Sequence, residues 1–578
     1  MQDRWITDWE PDERFSDYTR ANAGEVMPDP ASPLGWTYAW ERGIALGWRD
    51  GYVRTGGYVA DEFATERPAV CGSFGGYMYI NLAAVRMQAV RNPDLTVEQL
   101  DLAIFGDHPD VPPYEPKDGD ERPELADRIA AHLGWVMSAT EWPELLADRD
   151  EVDALRADRP DLSTATDAEL LARARRIQPM LRTLFDRHTI TSSSSAIAPG
   201  ILAAVAGAIG EPSMPMRVLA GLGDVDSAEP SYVLWELSRR IQRSEELSAA
   251  FDAGPDGVLD VLRGSYSDDA GTFLSAWDDF TARYGSRGPN EWEVMADTWE
   301  TKPAIALAAL ARIRLQADDE SPARRNAARA ADRTALIEDV RARLADLPEA
   351  AGAFQAGITA GSMMGWRERT KTNTIKALHE ARMVFRELGR RAVAAGHLQR
   401  PELVFMLLDD ELDRFVEEPS AWSATLAQRE SDYRELFTLE PPFIIAGGRV
   451  APLTQWDRKG SHLPAQVSRG DVLRGVPGCP GTVTGTARVV LDASDPGALE
   501  PGDILVAPIT DPAWTPLFMA AAGVIVDVGG QISHAIIVSR ELGLPCVVSV
   551  NDATRRIPDG TTVTVDGDTG TVTIGPPA

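Results

Sequence analysis

The chain has 578 residues, more than a single hydrophobic core organises, so several domains are expected. Hydrophobic residues make up 44% and charged residues 25% of it, a composition that excludes intrinsic disorder. Lys and Arg total 57 against 88 Asp and Glu, and the formal net charge of −31 argues against nucleic acid and anionic lipid as partners.

No targeting segment, membrane span or metal site is expected. The opening residues, MQDRWITDWEPDERF, are too acidic for a signal or transit peptide. The apolar stretches at residues 196–210 and 350–366 fall short of the roughly 20 strongly apolar residues that a span needs. Cys71, Cys479 and Cys546 are far apart, which disfavours a disulfide framework or a thiolate zinc site. We therefore predict a cytoplasmic protein with no membrane partner.

Residues 1–453 are predicted to form a large, mostly helical domain. Apolar residues recur at helical spacing, with charges between them, at residues 167–184 and 321–347, and the pattern of residues 369–395 is typical of one long helix. Small strands are expected near residues 58–60 and 443–449.

Residues 454–470 are polar and turn-rich, which predicts a flexible linker. A small β/β/α domain is expected at residues 471–578. Its helix is predicted at residues 533–542, between two buried strands, and its β-branched runs are at residues 482–490, 504–508, 524–528, 547–550 and 561–574. The predicted fold class is α+β: a large helical domain followed by this small domain.

The strongest chemical signal is a histidine that opens the predicted helix. Gly529 and Gly530 follow a buried strand, where they let the chain turn sharply and let a bulky group approach the backbone. Ser533 takes the N-cap position, and His534 begins the helix. Free N–H groups and the helix dipole stabilise phosphate at such a site, and imidazole is a good nucleophile at neutral pH. The pattern therefore predicts a histidine that accepts and donates a phosphoryl group, which Gly529, Gly530 and Ser533 cradle; a buried structural histidine is the alternative.

Residues 529–545 resemble the mobile phosphohistidine domain of the phosphoenolpyruvate-utilising enzymes. That family shows a Gly-Gly pair, Ser-His and a helix that ends in Arg-Glu-Leu-Gly-Ile/Leu-Pro. Gly-Cys-Pro-Gly at residues 478–481 and Asp-Pro-Ala-Trp-Thr-Pro at residues 511–516 extend the match. The resemblance implies a swivelling domain whose carrier is His534. Ile532 stands where the dikinases have Thr, and an apolar residue there is closer to the rifampin phosphotransferase branch.

The helical region resembles the acceptor-binding domain of rifampin phosphotransferase. Residues 18–28 (YTRANAGEVMP) are similar to its opening, and residues 284–291 (YGSRGPNE) to its Tyr-Gly-His-Arg-Gly…Glu loop, with Ser286 replacing His. Residues 367–390 resemble its Arg-Glu…Arg-Glu-Leu-Gly segment. The resemblance implies a large apolar pocket that presents an acceptor hydroxyl to the phosphohistidine. Candidates to line it, with ordinary core packing as the alternative, are Trp36 and Trp366, together with Trp40, Trp292 and Trp299.

Two charged pairs are candidates for the transfer step. Arg367 and Lys371 share a face of the predicted helix, where like charges repel unless an anion such as the transferring phosphoryl group lies between them. We predict Arg287 as a phosphate or pocket clamp, and Glu291 as its partner or as a hydroxyl-activating base. The alternatives are a solvated basic face for the first pair and a structural ion pair for the second.

The family charges its histidine with an ATP-grasp domain, yet no glycine-rich phosphate loop is found in this chain. We expect this chain to bind no cofactor itself, ATP and Mg²⁺ acting through a separate ATP-grasp protein. The resemblance then implies the transfer subunit of a dikinase-type phosphotransferase with a small alcohol or phenol as acceptor, a layout similar to the phenylphosphate synthases. Two alternatives remain: a non-enzymatic protein in which phosphorylated His534 is a signal, and a small-molecule binding protein with a vestigial histidine domain.

Overall fold

The computed structural model describes residues 3–93, 95–105, 108, 110–223, 225–461, 464–493, 499–511, 514–530 and 533–575. These residues form two compact units, each assembled from separate stretches of chain. The first unit takes the described residues within Met1–Ser194, Trp292–Ala296 and Arg369–His462. The second takes those within Ser195–Glu291, Asp297–Glu368 and Leu463–Ala578.

Helices dominate both units. The α-helices are α1 (Ala23–Val26), α2 (Ala45–Arg54), α3 (Leu82–Val90), α4 (Val97–Phe105), α5 (Ala126–Ser138), α6 (Pro143–Ala157), α7 (Asp167–Ser194), α8 (Ile197–Ile209), α9 (Met214–Val218), α10 (Glu229–Arg243), α11 (Glu245–Asp252), α12 (Val258–Arg263), α13 (Asp268–Tyr284), α14 (Ala304–Ile313), α15 (Pro322–Arg343), α16 (Pro348–Ala360), α17 (Ser362–Ala394), α18 (Leu412–Glu417), α19 (Ser423–Leu436), α20 (Thr515–Ala520), α21 (His534–Leu542) and α22 (Ala553–Arg556). A π-helical segment, Gly35–Ile44, leads into α2, and short 3₁₀ turns occur at Ala60–Glu62, Pro123–Leu125, Asp318–Glu320, Pro401–Met406, Asp409–Glu411, Pro419–Trp422 and Leu453–Gln455.

The strands form one small sheet and one large sheet. They are β1 (Tyr18–Thr19), β2 (Cys71–Phe74), β3 (Tyr77–Asn81), β4 (Ile444–Ile445), β5 (Val472–Arg474), β6 (Val476–Cys479), β7 (Thr482–Val489), β8 (Ile504–Ala507), β9 (Gly523–Val526), β10 (Cys546–Val548), β11 (Thr562–Asp566) and β12 (Thr571–Ile574). The small sheet has the order β2-β3-β1-β4, and the large sheet has the order β5-β12-β11-β7-β8-β9-β10-β6.

The first unit packs α2 against α7 around an aromatic core. The two helices approach so closely that a Cβ on Gly47 would lie 2.2 Å from the carbonyl oxygen of Arg182. A buried carboxylate holds a third helix in place, because Glu380 of α17 forms ion pairs with Arg159 at 2.7 Å and with Arg173 of α7 at 2.8 Å. A buried charge is tolerated only when it is paired in this way.

The second unit joins helices α8–α16 to the region that holds the large sheet. Strands β7, β8, β9 and β10 are parallel, with α20 between β8 and β9 and α21 between β9 and β10. Helix α20 packs against α10 and α14. Leu234 of α10, Leu310 of α14 and Phe518 of α20 lie in one hydrophobic core, so the small domain is docked on these helices.

The predicted α+β class is confirmed, as are most of the predicted elements. The patterns at residues 167–184, 321–347 and 369–395 fall in α7, α15 and α17, although α17 begins earlier, at Ser362. The β-branched runs all form strands, and the last run forms the hairpin β11–β12. The domain boundaries at residues 453 and 470 stay predictions.

The strand expected near residues 58–60 is wrong. Tyr58 is buried by stacking on Tyr52, with ring centroids 4.6 Å apart, and its hydroxyl donates to the carbonyl oxygen of Ala84 at 2.7 Å. The chain then enters the 3₁₀ turn Ala60–Glu62. Tyr58 is thus covered by helix packing, while Val59 is half-buried and Ala60 is exposed, so no sheet is needed to cover this segment.

The predicted linker carries backbone hydrogen bonds at both ends. Lys459 N–H donates to the carbonyl oxygen of Thr438 at 2.9 Å in the first unit. Gly470 N–H donates to the carbonyl oxygen of Ile574 at 2.8 Å in the second. Any flexible part of this segment among the described residues is therefore shorter than the predicted 454–470, and its flexibility stays a prediction.

One helical stretch in the described part of the chain, Asp167–Ile209, is long and apolar enough to cross a membrane by length and composition alone. The stretch is interrupted, since α7 ends at Ser194 and α8 begins at Ile197. A single such stretch is weak evidence for a span, because core helices pass the same test.

Candidate functional site

His534 is the first residue of α21, at the carboxyl ends of the parallel strands. Strand β9 ends at Val526, and the chain then passes through Gly529 and Gly530 to Ser533, whose N–H donates to the carbonyl oxygen of Gly530 at 3.0 Å. Sites in parallel sheets form at this edge, where loops from neighbouring strands meet. The sequence prediction of a strand, a glycine turn and a helix that opens at His534 is confirmed.

Two threonine hydroxyls flank the imidazole of His534. Thr515 Oγ1, in the first turn of α20, lies 3.2 Å from Nε2, and Thr510 Oγ1, in the loop after β8, lies 3.3 Å from Nδ1. The ring of Phe518 meets the imidazole edge-on, with centroids 5.9 Å apart. A neutral imidazole has one donor and one acceptor nitrogen, so one hydroxyl accepts a hydrogen bond and the other donates one. These contacts fix the orientation of the ring, and the residue as a whole is only 8% exposed.

The predicted phosphate cradle lies directly beside His534. A Cβ on Gly529 would lie 3.1 Å from Ser533 Oγ, a tight contact that would require Ser533 to shift by a few tenths of an ångström. Ser533 is buried, and its hydroxyl has no hydrogen-bond partner among the described residues; it makes no N-cap bond. A buried hydroxyl without a partner is costly unless a ligand or water satisfies it. Gln531 and Ile532 lie outside the described residues, and the cradle itself stays a prediction.

The loop after α13 is bonded to the loop that carries Thr510. Asn290, at a positive φ of 53°, donates its N–H to Asp511 Oδ2 at 2.7 Å. The base of the same loop is fixed by a backbone bond from Trp299 N–H to the carbonyl oxygen of Arg287 at 2.7 Å. The sequence motif at residues 284–291 therefore lies next to the loop that contacts His534.

Arg287 and Glu291 form a buried ion pair, with Arg287 Nη1 3.1 Å from Glu291 Oε1. Burial by itself works to lower the pKa of the Arg287 guanidinium, but the charges of Glu291, Glu368 and Asp226 outweigh it and raise the pKa above its ordinary value. Glu368 also accepts a hydrogen bond from Arg367 Nη1 at 2.8 Å. The second unit thus gathers three of the predicted residues, Arg287, Glu291 and Arg367, into one network of charges; their roles stay predictions.

The remaining candidates lie elsewhere in the fold. Lys371 is one helical turn beyond Arg367 on α17 and belongs to the first unit. Trp36 also belongs to that unit, where it is buried and stacks on Trp40 with centroids 5.9 Å apart. Trp366 is buried on α17 within the second unit. Whether Trp36 and Trp366 line an acceptor pocket stays a prediction, as does the same proposal for Trp40, Trp292 and Trp299.

The sequence analysis assigned no role to Thr510, Thr515, Asp511 or Asn290. Asp511 and Thr515 stand in the motif at residues 511–516, and Asn290 stands in the motif at residues 284–291. The sequence did not reveal that the loop of Asn290 is hydrogen-bonded to the loop of Asp511. No metal-holding group of three or more His, Cys, Asp or Glu side chains occurs within the described ranges.

Asp527 connects the start of the glycine turn to α22. Its Oδ1 accepts a hydrogen bond from Thr554 N–H at 2.8 Å, and its Oδ2 accepts one from the Thr554 hydroxyl. Burial raises the pKa of Asp527 from 3.8 to about 6, and the bonds from Thr554 oppose that rise without cancelling it. The strand that leads to His534 therefore ends at a carboxyl group that titrates in a mildly acidic range.

Comparisons with known proteins match the two parts of the second unit separately. Residues 187–368 match the model described as the rifampicin phosphotransferase fourth domain, and residues 499–570 match that of the PEP-utilising enzyme mobile domain. In these two segments the chain is similar to the rifampicin phosphotransferases and to the PEP-utilising enzymes. This confirms the resemblance predicted for both the histidine motif and the helical region.

Rifampicin phosphotransferase of Streptomyces sviceus is 29% identical over 586 aligned residues, covering 96% of this chain and 62% of that protein. An uncharacterised protein of Mycobacterium tuberculosis is 39% identical over 206 residues, covering 36% of this chain and 23% of its own length. Phosphoenolpyruvate synthase of Aeropyrum pernix is 42% identical over 147 residues, which cover 24% of this chain and 18% of that protein. The chain thus matches at most 62% of the length of these relatives.

Removing Arg287 and removing Glu291 from the buried charge network should lower the stability of the protein by different amounts. We expect Arg287→Met to lower the free energy of unfolding by on the order of 3–5 kcal/mol, because it removes the buried cation that is paired with Glu291, whereas Glu368 keeps Arg367. Glu291→Gln should cost less, since Arg287 keeps the charges of Glu368 and Asp226. Urea unfolding followed by circular dichroism measures both.

The matched control is Arg263→Met, which removes an exposed arginine paired with Asp260 at 3.4 Å in the same unit. It should change stability by less than about 1 kcal/mol. Equal midpoints for Arg287→Met and Arg263→Met would show that the buried pair is not needed for folding.

The raised pKa of Asp527 predicts a pH dependence of stability. Between about pH 4 and about pH 6 the folded protein keeps a proton that the unfolded chain has lost, so this group's contribution to stability falls as pH rises. Asp527→Asn lacks that titration. The free energy of unfolding of the variant minus that of the wild type should therefore increase across this window and level off above it.

The measurement is a urea titration read by hydrogen-exchange pulse labelling of peptides that contain β9 and α22. Asp471→Asn is the control, because the Asp471 side chain is exposed. A difference between Asp527→Asn and wild type that stays constant from pH 4 to pH 7 contradicts the assignment.

Proposed function

We propose that this chain is the carrier-and-acceptor part of an ATP-dependent phosphotransferase. His534 takes up a phosphoryl group and passes it to the hydroxyl of a small alcohol or phenol. The observation that carries the proposal is the imidazole at the start of α21, held between Thr510 and Thr515 beside the Gly529-Gly530 turn. The kinship with rifampicin phosphotransferase and with the PEP-utilising mobile domain supports it.

In the charging step, a ring nitrogen of His534 attacks a phosphorus atom of ATP. A P–N bond forms as the P–O bond to the leaving part of the nucleotide breaks. The attacking nitrogen needs its lone pair, so the ring hydrogen sits on the other nitrogen, bonded to the threonine hydroxyl on that side. The phosphoryl oxygens would meet the first N–H groups of α21 and the hydroxyl of Ser533, which has no partner among the described residues.

In the transfer step, the acceptor oxygen attacks phosphorus and the P–N bond breaks, so that its electron pair returns to the imidazole. The hydroxyl proton passes to a base, for which Glu291 is the candidate. Arg367 and Lys371 are the proposed cations for the charge on the transferring group, and Arg287 is the proposed clamp. The predicted tryptophans, Trp36 and Trp366, are proposed to contact the apolar body of the acceptor.

A separate ATP-grasp protein is proposed as the source of the phosphoryl group. Such a protein would supply the nucleotide pocket, the cations for the phosphates and the Mg²⁺ ligands that phosphoryl transfer from ATP needs. The strongly acidic chain, with a net charge of −31, also disfavours unassisted capture of a polyanionic nucleotide. The predicted cytoplasmic location belongs to the same proposal, since ATP and its partner protein are found there.

The first test is charging of the purified chain with radiolabelled ATP and Mg²⁺. We expect no label on the chain alone, and one acid-labile phosphate on His534 once an ATP-grasp partner is added. Mass spectrometry locates the label, His534→Ala should remove it, and His397→Ala is the matched histidine control. Labelling of the chain alone would overturn the two-protein model, and label on another histidine would overturn the choice of His534.

The second test concerns the transfer step. After a panel of aliphatic and phenolic alcohols has identified an acceptor, Arg367→Ala should slow loss of label from charged His534 by about 10²-fold, on the order of 3 kcal/mol. Charging should keep its normal rate, because Arg367 is proposed to act only with the acceptor in place.

Arg390→Ala is the control on the same helix, where the exposed Arg390 side chain pairs with Glu387. Because Arg367 bonds Glu368, the urea midpoint of Arg367→Ala is measured alongside the rate. An unchanged transfer rate in a folded Arg367→Ala protein contradicts the proposed role.

A further inference from the structure

The region that carries His534, residues 471–575, is called the carrier region here. It contacts the helices of the second unit through α20 and α21: α20 packs on α10 and α14, and α21 packs on α15. Leu517, Phe518 and Leu542 are fully buried in this contact. Apolar contacts of this kind are strong but do not define one register, because the hydrophobic effect is non-directional.

One carboxylate lies buried in the same contact. Glu541, near the end of α21, is 2% exposed, and its Oε2 accepts a hydrogen bond from Asn326 Nδ2 of α15 at 2.6 Å. Its Oε1 accepts one from Leu222 N–H at 3.3 Å, and Gly223 supplies a second backbone N–H. Arg329 and Arg333, also on α15, are close enough to act electrostatically on the carboxylate.

Every one of these donors belongs to the helical part of the second unit, and none belongs to the carrier region itself. If the carrier region moved by one helical turn, the carboxylate would lose Asn326 and the loop at residues 221–223 together. A buried charge that loses its donors is strongly unfavourable, whereas the apolar side chains around it would find new contacts. The hydrogen-bonding requirement of the Glu541 carboxylate is therefore met in one register only.

We propose that Glu541 is the positioning residue that holds the carrier region in its docked register, through Asn326 and the loop at residues 221–223. The inference rests on the proposed function, since a carrier charged by a second protein has to leave this position and return to it. In the released state water would solvate the carboxylate, so its hydrogen bonds to protein are made only on docking. Burial raises the pKa of Glu541 while the backbone bond from Leu222 and the side-chain bond from Asn326 oppose the rise, which agrees with a carboxylate that depends on these donors.

The test measures docking without ATP or acceptor. Spin labels are placed on Asp279→Cys of α13 and Thr562→Cys of β11, both at exposed positions, since the three native cysteines are fully buried. Double electron–electron resonance on the full chain should show one docked distance. Glu541→Gln, which places an amide N–H₂ against one of the two donors, Asn326 or Leu222, should raise the ratio of released to docked molecules on the order of tenfold.

Asn326→Ala should raise the same ratio from the other side of the contact. The two changes together should shift it by less than the product of the single effects, because both break one interaction. Glu500→Gln, which removes an exposed charge of the carrier region, is the control and should leave the distances unchanged. Asn326→Ala leaves the carrier region intact, so it carries the test if Glu541→Gln does not fold.

Unchanged distances in both Asn326→Ala and a folded Glu541→Gln protein would overturn the inference. Additive shifts would also overturn it, since they would mean that Glu541 and Asn326 act separately. The outcome is independent of phosphoryl chemistry: failure of His534 to accept label would remove the proposed function, whereas failure of the distances to change would remove only the role of Glu541.

Discussion

The geometry of the site depends on how the imidazole of His534 is held between two hydroxyls. Thr510 and Thr515 come from the loop after β8 and from the start of α20, so the ring orientation is fixed by parts of the chain other than its own helix. The loop of Thr510 is tied in turn to Asn290 through Asp511. A change in the helical part of the second unit can therefore reach His534 through this short series of hydrogen bonds.

The second unit keeps several charged groups away from water. Arg287, Glu291 and Glu368 are buried together, and Glu541 is buried at the contact with α15. Buried ion pairs add little net stability, but breaking one of them is costly, so they favour one arrangement over its neighbours. Buried charges of this kind therefore favour one well-defined position over a tighter but less specific contact.

The sequence was sufficient where a local pattern determines the structure. Gly529, Gly530 and Ser533 predicted that α21 begins at His534, because such signals act within a few residues, although Ser533 makes no side-chain cap bond. Tyr58 was misjudged, since its burial against Tyr52 comes from helix packing rather than from a sheet. The contacts of Asn290 with Asp511 and of Glu541 with Asn326 join residues far apart in the chain, and no periodicity or propensity encodes such a pairing. The long helix of Lys371 was predicted, but not its earlier start at Ser362 or the bond from Arg367 to Glu368.

The interleaved order of the two units constrains how this chain folds during synthesis. The core of the first unit needs both ends of its sequence: Tyr38 packs edge-on against Phe385, with centroids 4.9 Å apart, although the ribosome makes these residues far apart in time. The second unit needs β5–β12, which are made last. At roughly 5–20 residues per second, the first helices wait on the order of tens of seconds for their partners, with apolar faces exposed. Until the C-terminal segments emerge, apolar surface that ends in the two cores has nothing of its own chain to cover it.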